Sequence, residues 1–114
     1  MTQTVIERLR ELCMRFPEAT EEPFGGHTRP TWRVNKKIFA MLEEEREAVW
    51  FKAPPGAQAV LVDADPEKFF VPPYVGHRGW VGVRTDVDGL DWEELRGLIA
   101  ESYRMTAPKR LLRK

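Results

Sequence analysis

Apolar residues near the start of the chain fall three and four positions apart, at Val5, Leu9, Leu12, Cys13 and Phe16. That spacing places them on one side of a helix, and Thr4 with Glu7 three residues later matches the reciprocal pair that closes a helix N-terminus. A helix is predicted from about Val5 to Phe16, ended by Pro17, which has no N–H to extend the ladder. Residues 18–30, with Pro23, Gly25, Gly26 and Pro30, read as a loop. From Thr31 the apolar period drops to two. Trp32 and Val34 alternate with Arg33, and Ile38, Ala40 and Leu42 alternate with Phe39 and Met41, which predicts strands over 31–35 and 37–43 joined near Asn35 and Lys36.

A third strand is predicted over 47–53, with Glu43–Glu47 as a charged, solvated hairpin tip. Pro54, Pro55 and Gly56 stop it. Ala57–Ala64 reads as a short helix, with Asp65 and Pro66 as the cap and first position of another. Val71–Gly79 is a Pro/Gly-rich loop leading to a last strand over Trp80–Arg84, where Gly82 marks close backbone approach. The closing helix is predicted from Asp91, its cap, to Tyr103, with Trp92, Leu95, Leu98, Ile99 and Tyr103 on one stripe. Helix, meandering strands, helical segment, strand and helix make an α+β fold. The expected architecture is a two-layer sandwich, an antiparallel sheet with helices packed on one face and Trp32, Trp50, Trp80 and Trp92 in the core.

Composition adds boundaries. At 114 residues, 42% hydrophobic and 32% charged, the chain is of single-domain size and globular type. The domain is expected over 1–104, followed by a basic tail over 105–114. No apolar run approaches the roughly 20 residues that cross a bilayer, and Met1–Arg10 is polar, so a cytoplasmic location without a membrane partner is expected. Charge is neutral in sum but uneven in place. Arg104, Lys109, Arg110, Arg113 and Lys114 have no acid among them, which leaves 13 basic and 18 acidic residues over 1–103, a net of −5. That body lacks the bulk basicity of a typical nucleic-acid binder.

Catalytic chemistry finds little foothold. The only histidines are His27 and His77, both in loops, and the single cysteine, Cys13, sits on an apolar stripe where a thiol ionises poorly. One cysteine and two distant histidines do not make a structural zinc set, and Gly25-Gly26 precedes a strand, not a helix that could cradle a pyrophosphate. Glu18, Glu21 and Glu22 read as a solvated face. No enzyme activity, cofactor or metal is expected. What remains is cationic: Arg33, Lys36 and Lys37 around one hairpin, Lys52 on the next strand, and His77, Arg78 and Arg84 around Trp80. Such residues follow phosphates, and Tyr74 beside them can stack on a base.

Taken in order, several segments carry a family resemblance. Phe16-Pro17-Glu18 through Pro23-Phe24-Gly25 follows the first helix; Trp32-Arg33-Val34 and Lys37-Ile38-Phe39-Ala40 make a hairpin; Val49-Trp50-Phe51-Lys52 is an apolar strand ending in lysine. Tyr74-Val75-Gly76-His77-Arg78-Gly79-Trp80 and Ile99-Ala100-Glu101-Ser102-Tyr103 complete the series. The chain thereby resembles the MmcQ/YjbR family of small bacterial proteins. The resemblance implies a frataxin-like, double-wing α+β fold and a DNA-binding role. It departs at His77-Arg78-Gly79, where related sequences often carry asparagine-lysine-lysine. The expected partner is DNA, held by Arg33, Lys36, Lys37, Lys52, Tyr74, His77, Arg78 and Arg84, in a monomer or weak homodimer. The alternative is a protein-interaction or small-ligand module built on the Pro72–Trp80 loop.

Overall fold

The computed structural model describes residues 4–23, 29–43, 47–87 and 89–112. Its elements in chain order are helix α1 (Val5–Met14), strands β1 (Thr20–Pro23), β2 (Pro30–Val34), β3 (Lys37–Leu42) and β4 (Ala48–Phe51), helix α2 (Ala57–Ala64), strands β5 (Phe69–Phe70) and β6 (Val81–Arg84), and helix α3 (Trp92–Thr106). The strands form one antiparallel sheet in the order β1-β2-β3-β4-β6-β5. This is the expected α+β fold with helices on one face.

Local chemistry sets the ends of these elements. Thr4 accepts from the Glu7 amide while the Glu7 carboxylate accepts from the Thr4 amide, so two amides at the start of α1 are satisfied reciprocally. Asp91 accepts from the amides of Glu93 and Glu94 at the start of α3. Asn35 and Lys36 take φ of 52° and 67°, the left-handed pair that lets a two-residue turn follow the twist of β2 and β3.

Side-chain parity divides the sheet into two faces. Trp32, Val34, Phe39, Leu42, Val49, Phe51, Phe69, Val81 and Val83 join Leu9 and Cys13 of α1 and Leu95, Ile99 and Tyr103 of α3 in one buried cluster. Tyr103 stacks on Phe16 at 4.7 Å and meets Phe39 edge-on at 5.4 Å, and its hydroxyl donates to the Pro17 carbonyl. Cross-strand pairs put Met41, Trp50, Gly82 and Phe70 together on the opposite face. The Phe70 ring lies where a Cβ on Gly82 would sit, which is the close approach anticipated there.

Several expectations are corrected. Residues 18–30 hold strand β1, which shows no apolar alternation because it is a sheet edge with three of its four residues exposed. No helix starts at Pro66; a turn over 66–68 leads instead into β5. Glu43 is buried, not solvated, and accepts a 2.9 Å hydrogen bond from the Trp50 indole, while Glu44–Arg46 lie outside the described residues. Of the four tryptophans, Trp32 enters the cluster and Trp92 packs against it partly buried. Trp50 and Trp80 are buried outside it. Helix α3 reaches Thr106, past the start of the expected tail, and Leu111 in the following 3-10 turn (Lys109–Leu111) packs against the cluster.

Candidate nucleic-acid interface

The sheet face opposite the buried cluster, with Met105 from the last turn of α3 in its wall, carries a recess of about 780 Å³, within the size range of small-ligand sites. Its apolar wall is Ile38, Met41, Trp50, Val75, Trp80 and Met105. Five cations surround that wall: Arg33, Lys36 and Lys37 from the β2–β3 hairpin, Lys52 just past β4, and Arg78 from the 71–79 loop. Among the described residues no aspartate or glutamate lines the recess.

Two hydrogen-bond devices hold these segments in place. Ser102 on α3 donates to the Phe39 carbonyl at 2.6 Å and accepts from the Lys52 amide at 2.9 Å. Phe39 and Lys52 lie one position beyond the Ala40–Phe51 pair, so the Ser102 hydroxyl stands between the carbonyl and the amide of the next β3–β4 rung. Ser102 therefore ties the backbone that aims Lys52 to the helix layer. On the other side, the Gln58 amide donates to the carbonyls of Gly76 and Trp80, both at 2.8 Å, and closes the loop that presents Arg78. A 3-10 turn over Gly76–Arg78 ends at Gly79, whose φ of 87° suits a residue without a Cβ.

Charge is sorted between the faces. Arg10 pairs with Glu21, Arg15 with Glu11, Lys68 with Glu94, Arg96 with Glu93, Arg104 with Glu101 and Arg110 with Glu18. No salt bridge among the described residues engages Lys36, Lys37, Lys52 or Arg78. The Lys52 ammonium is held below its ordinary pKa, first by partial burial and then by the positive charges of Lys37 and Arg78. Like charges are thus crowded together without acids to neutralise them.

Tyr74 stands at the rim with 88% of its surface exposed. Its φ is 67°, and the Val75 amide donates to the Pro73 carbonyl at 2.7 Å, so Tyr74 is the centre of a three-residue γ-turn of the rare, strained hand. A bulky side chain in that region costs of order 1–3 kcal/mol.

Six of the eight residues expected to bind nucleic acid therefore meet around one recess. Arg84 does not: its guanidinium lies 4.9 Å from the Phe70 ring centre and donates to the Glu67 carbonyl. His77 is exposed on its 3-10 turn but does not line the recess. Cys13 is buried in the cluster, where desolvation pushes its thiol far above the ordinary value. Glu21 bonds Arg10 and the Trp32 indole, and Glu18 bonds Arg110, so both serve the fold. His27 and Gly25-Gly26 lie outside the described residues. Sequence reasoning missed the apolar wall, Ser102 and Gln58. The wall was signalled only by the parity of Met41 and Trp50 in their strands and by Trp80 just before β6.

The YjbR family model matches residues 14–105, which span the whole sheet, α2, nearly all of α3 and every residue of the recess. The chain belongs to the YjbR family. Its fold matches the crystal structure of Deinococcus radiodurans protein DR2400, family-model domain DUF419, at a TM-score of 0.78 and 22% identity, covering 90% of this chain and 78% of that one. DR2400 belongs to the same family. No curated protein matches. Among the described residues of this YjbR chain, no helix is long and apolar enough to cross a membrane, and no group of three or more His, Cys, Asp or Glu could hold a metal ion.

Proposed function

We propose that this YjbR-family chain is a non-catalytic nucleic-acid-binding protein, with DNA as its partner, and that the cationic recess is the contact. The observation that carries the reading is the segregation of charge. Away from the recess Arg10, Arg15, Arg96, Arg104 and Arg110 pair with carboxylates, whereas the recess gathers Arg33, Lys36, Lys37, Lys52 and Arg78 without an acid in its lining. Phosphate contacts need this arrangement, because an in-place carboxylate would repel the backbone and occupy the cation. The net −5 of residues 1–103 does not oppose it, since a phosphate meets the local charge and no acid among the described residues lines the recess.

Fluorescence anisotropy with labelled DNA across a salt series tests the reading. About four or five phosphate contacts give a log–log salt slope of roughly −4, and the double variant Lys52→Ala, Arg78→Ala should bind more weakly with a slope shallower by about 2. Absence of binding at low salt would overturn the proposal. The recess volume favours one other reading, a small-ligand or protein-interaction module using the Pro72–Trp80 loop. That reading predicts binding with little salt dependence.

A further inference from the structure

We infer that the recess takes an unpaired base of single-stranded DNA, with Tyr74 as the residue that stacks on it. This rests on the nucleic-acid reading above and narrows it to a strand form and a contact. A cationic surface alone would serve a duplex equally well, but two features of this site have no use for one.

The first is the apolar wall. A duplex presents phosphates outside and keeps its base faces stacked, so a contact made only to its backbone is best lined by cations and polar groups. Here the cations rim Ile38, Met41, Trp50, Trp80 and Met105, a surface matched to the flat, weakly hydrated face of a base. The arrangement of a charged rim for the backbone and an apolar, aromatic wall for the bases is the one single strands require.

The second feature is Tyr74 itself. Its backbone is strained, yet its side chain is 88% exposed and so gains almost no packing in return. Stability alone would favour glycine, or asparagine, at the centre of this γ-turn. The strain is explained if the turn exists to hold an aromatic ring out over the recess. The anchoring is there: Pro72 on one side is buried, Val75 on the other lines the recess, and Gln58 fixes the loop at Gly76 and Trp80. The backbone that carries the ring is thus held in place, and stacking on it orders little beyond the side chain's own rotamer.

The test compares one labelled oligonucleotide as a single strand and as a duplex, by anisotropy at low salt, for the native protein and for Tyr74→Gly and Tyr74→Phe. The single strand should bind about tenfold more tightly than the duplex. Tyr74→Gly should lose most of that preference while its Tm stays unchanged or rises, and Tyr74→Phe should keep it. Equal or tighter binding of the duplex overturns the inference and leaves the nucleic-acid reading standing. A single-strand affinity unaffected by Tyr74→Gly overturns the role of Tyr74. No binding of either form removes both readings. A free mononucleotide competing as well as the strand would show that the strand's backbone contributes nothing, and would overturn the assignment to single-stranded DNA.

Discussion

The two faces of the sheet are built from the same strands and do opposite things with them. Alternate residues of β4 go to each side: Val49 and Phe51 enter the cluster under α1 and α3, while Trp50 and, just past the strand, Lys52 line the recess. On the helix side the cluster residues of α1 and α3 are buried, and Arg10, Arg15, Arg96, Arg104 and Arg110 find carboxylates. On the other side aromatic and aliphatic groups form the wall of a recess, Tyr74 stands exposed, and the cations around them form no salt bridge among the described residues. A protein selected only for stability would neutralise that crowding. The difference shows which face serves folding and which is kept for a partner, and it gives the comparison a measurable form. Substitutions on the helix side should cost stability and leave binding alone; those on the recess side should do the reverse.

The largest effect is expected for Phe39→Ala, which removes a fully buried ring touching Phe16 and Tyr103. Urea unfolding should show a loss of about 3–5 kcal/mol, a large part of the 5–15 kcal/mol typical of a small domain. A loss below about 1 kcal/mol would mean that this face is not the stabilising one. Next comes Ser102→Ala, the residue that joins the two layers. It strands the Phe39 carbonyl and the Lys52 amide, so a loss of about 1–3 kcal/mol is expected, together with weaker DNA binding because Lys52 is no longer aimed. Stability loss with unchanged affinity would separate the layers and break the proposed link.

Lys52→Met should have the smallest effect on stability and the opposite sign. A lysine whose folded-state pKa lies below its unfolded value penalises the folded state at every pH beneath the folded pKa. That penalty fades as the pH climbs towards the unfolded value. The variant should therefore be slightly more stable than the native protein at neutral pH, with the gap closing in alkaline solution. Its salt slope for DNA should fall by about one. Thermal melts in a pH series check the first statement, and a gap that widens with pH would contradict it.

Helices α1 and α3 and the β2–β3 hairpin were legible because each carries a local signal: a Thr4–Glu7 or Asp91 cap beside a helical stripe, and an Asn-containing turn between alternating strands. β1 and β5 were not. Thr20–Pro23 is polar and exposed at a sheet edge, and Phe69–Phe70 is two residues long, so neither has a pattern that periodicity can detect. Their existence depends on β2 and β6 offering free edges. The cationic set was legible as residue types, since Arg and Lys near a hairpin and a Pro/Gly loop are visible in order along the chain. That Arg84 leaves the set was not, because its place is decided by Phe70 across the strand pair.

The amino-acid order by itself determined the elements with strong local codes, the chain's membership in an α+β class, and the poverty of nucleophiles and metal ligands. Each of these follows from spacing and composition, which act over a few residues. Tertiary structure alone decided which side of the sheet each tryptophan occupies, which cations lose their partners, and that Arg33, Lys52 and Arg78 surround one recess. Those outcomes depend on strand register and on pairings such as Ser102 with Phe39, 63 residues apart in sequence. No local signal carries them, because they exist only once the sheet has closed.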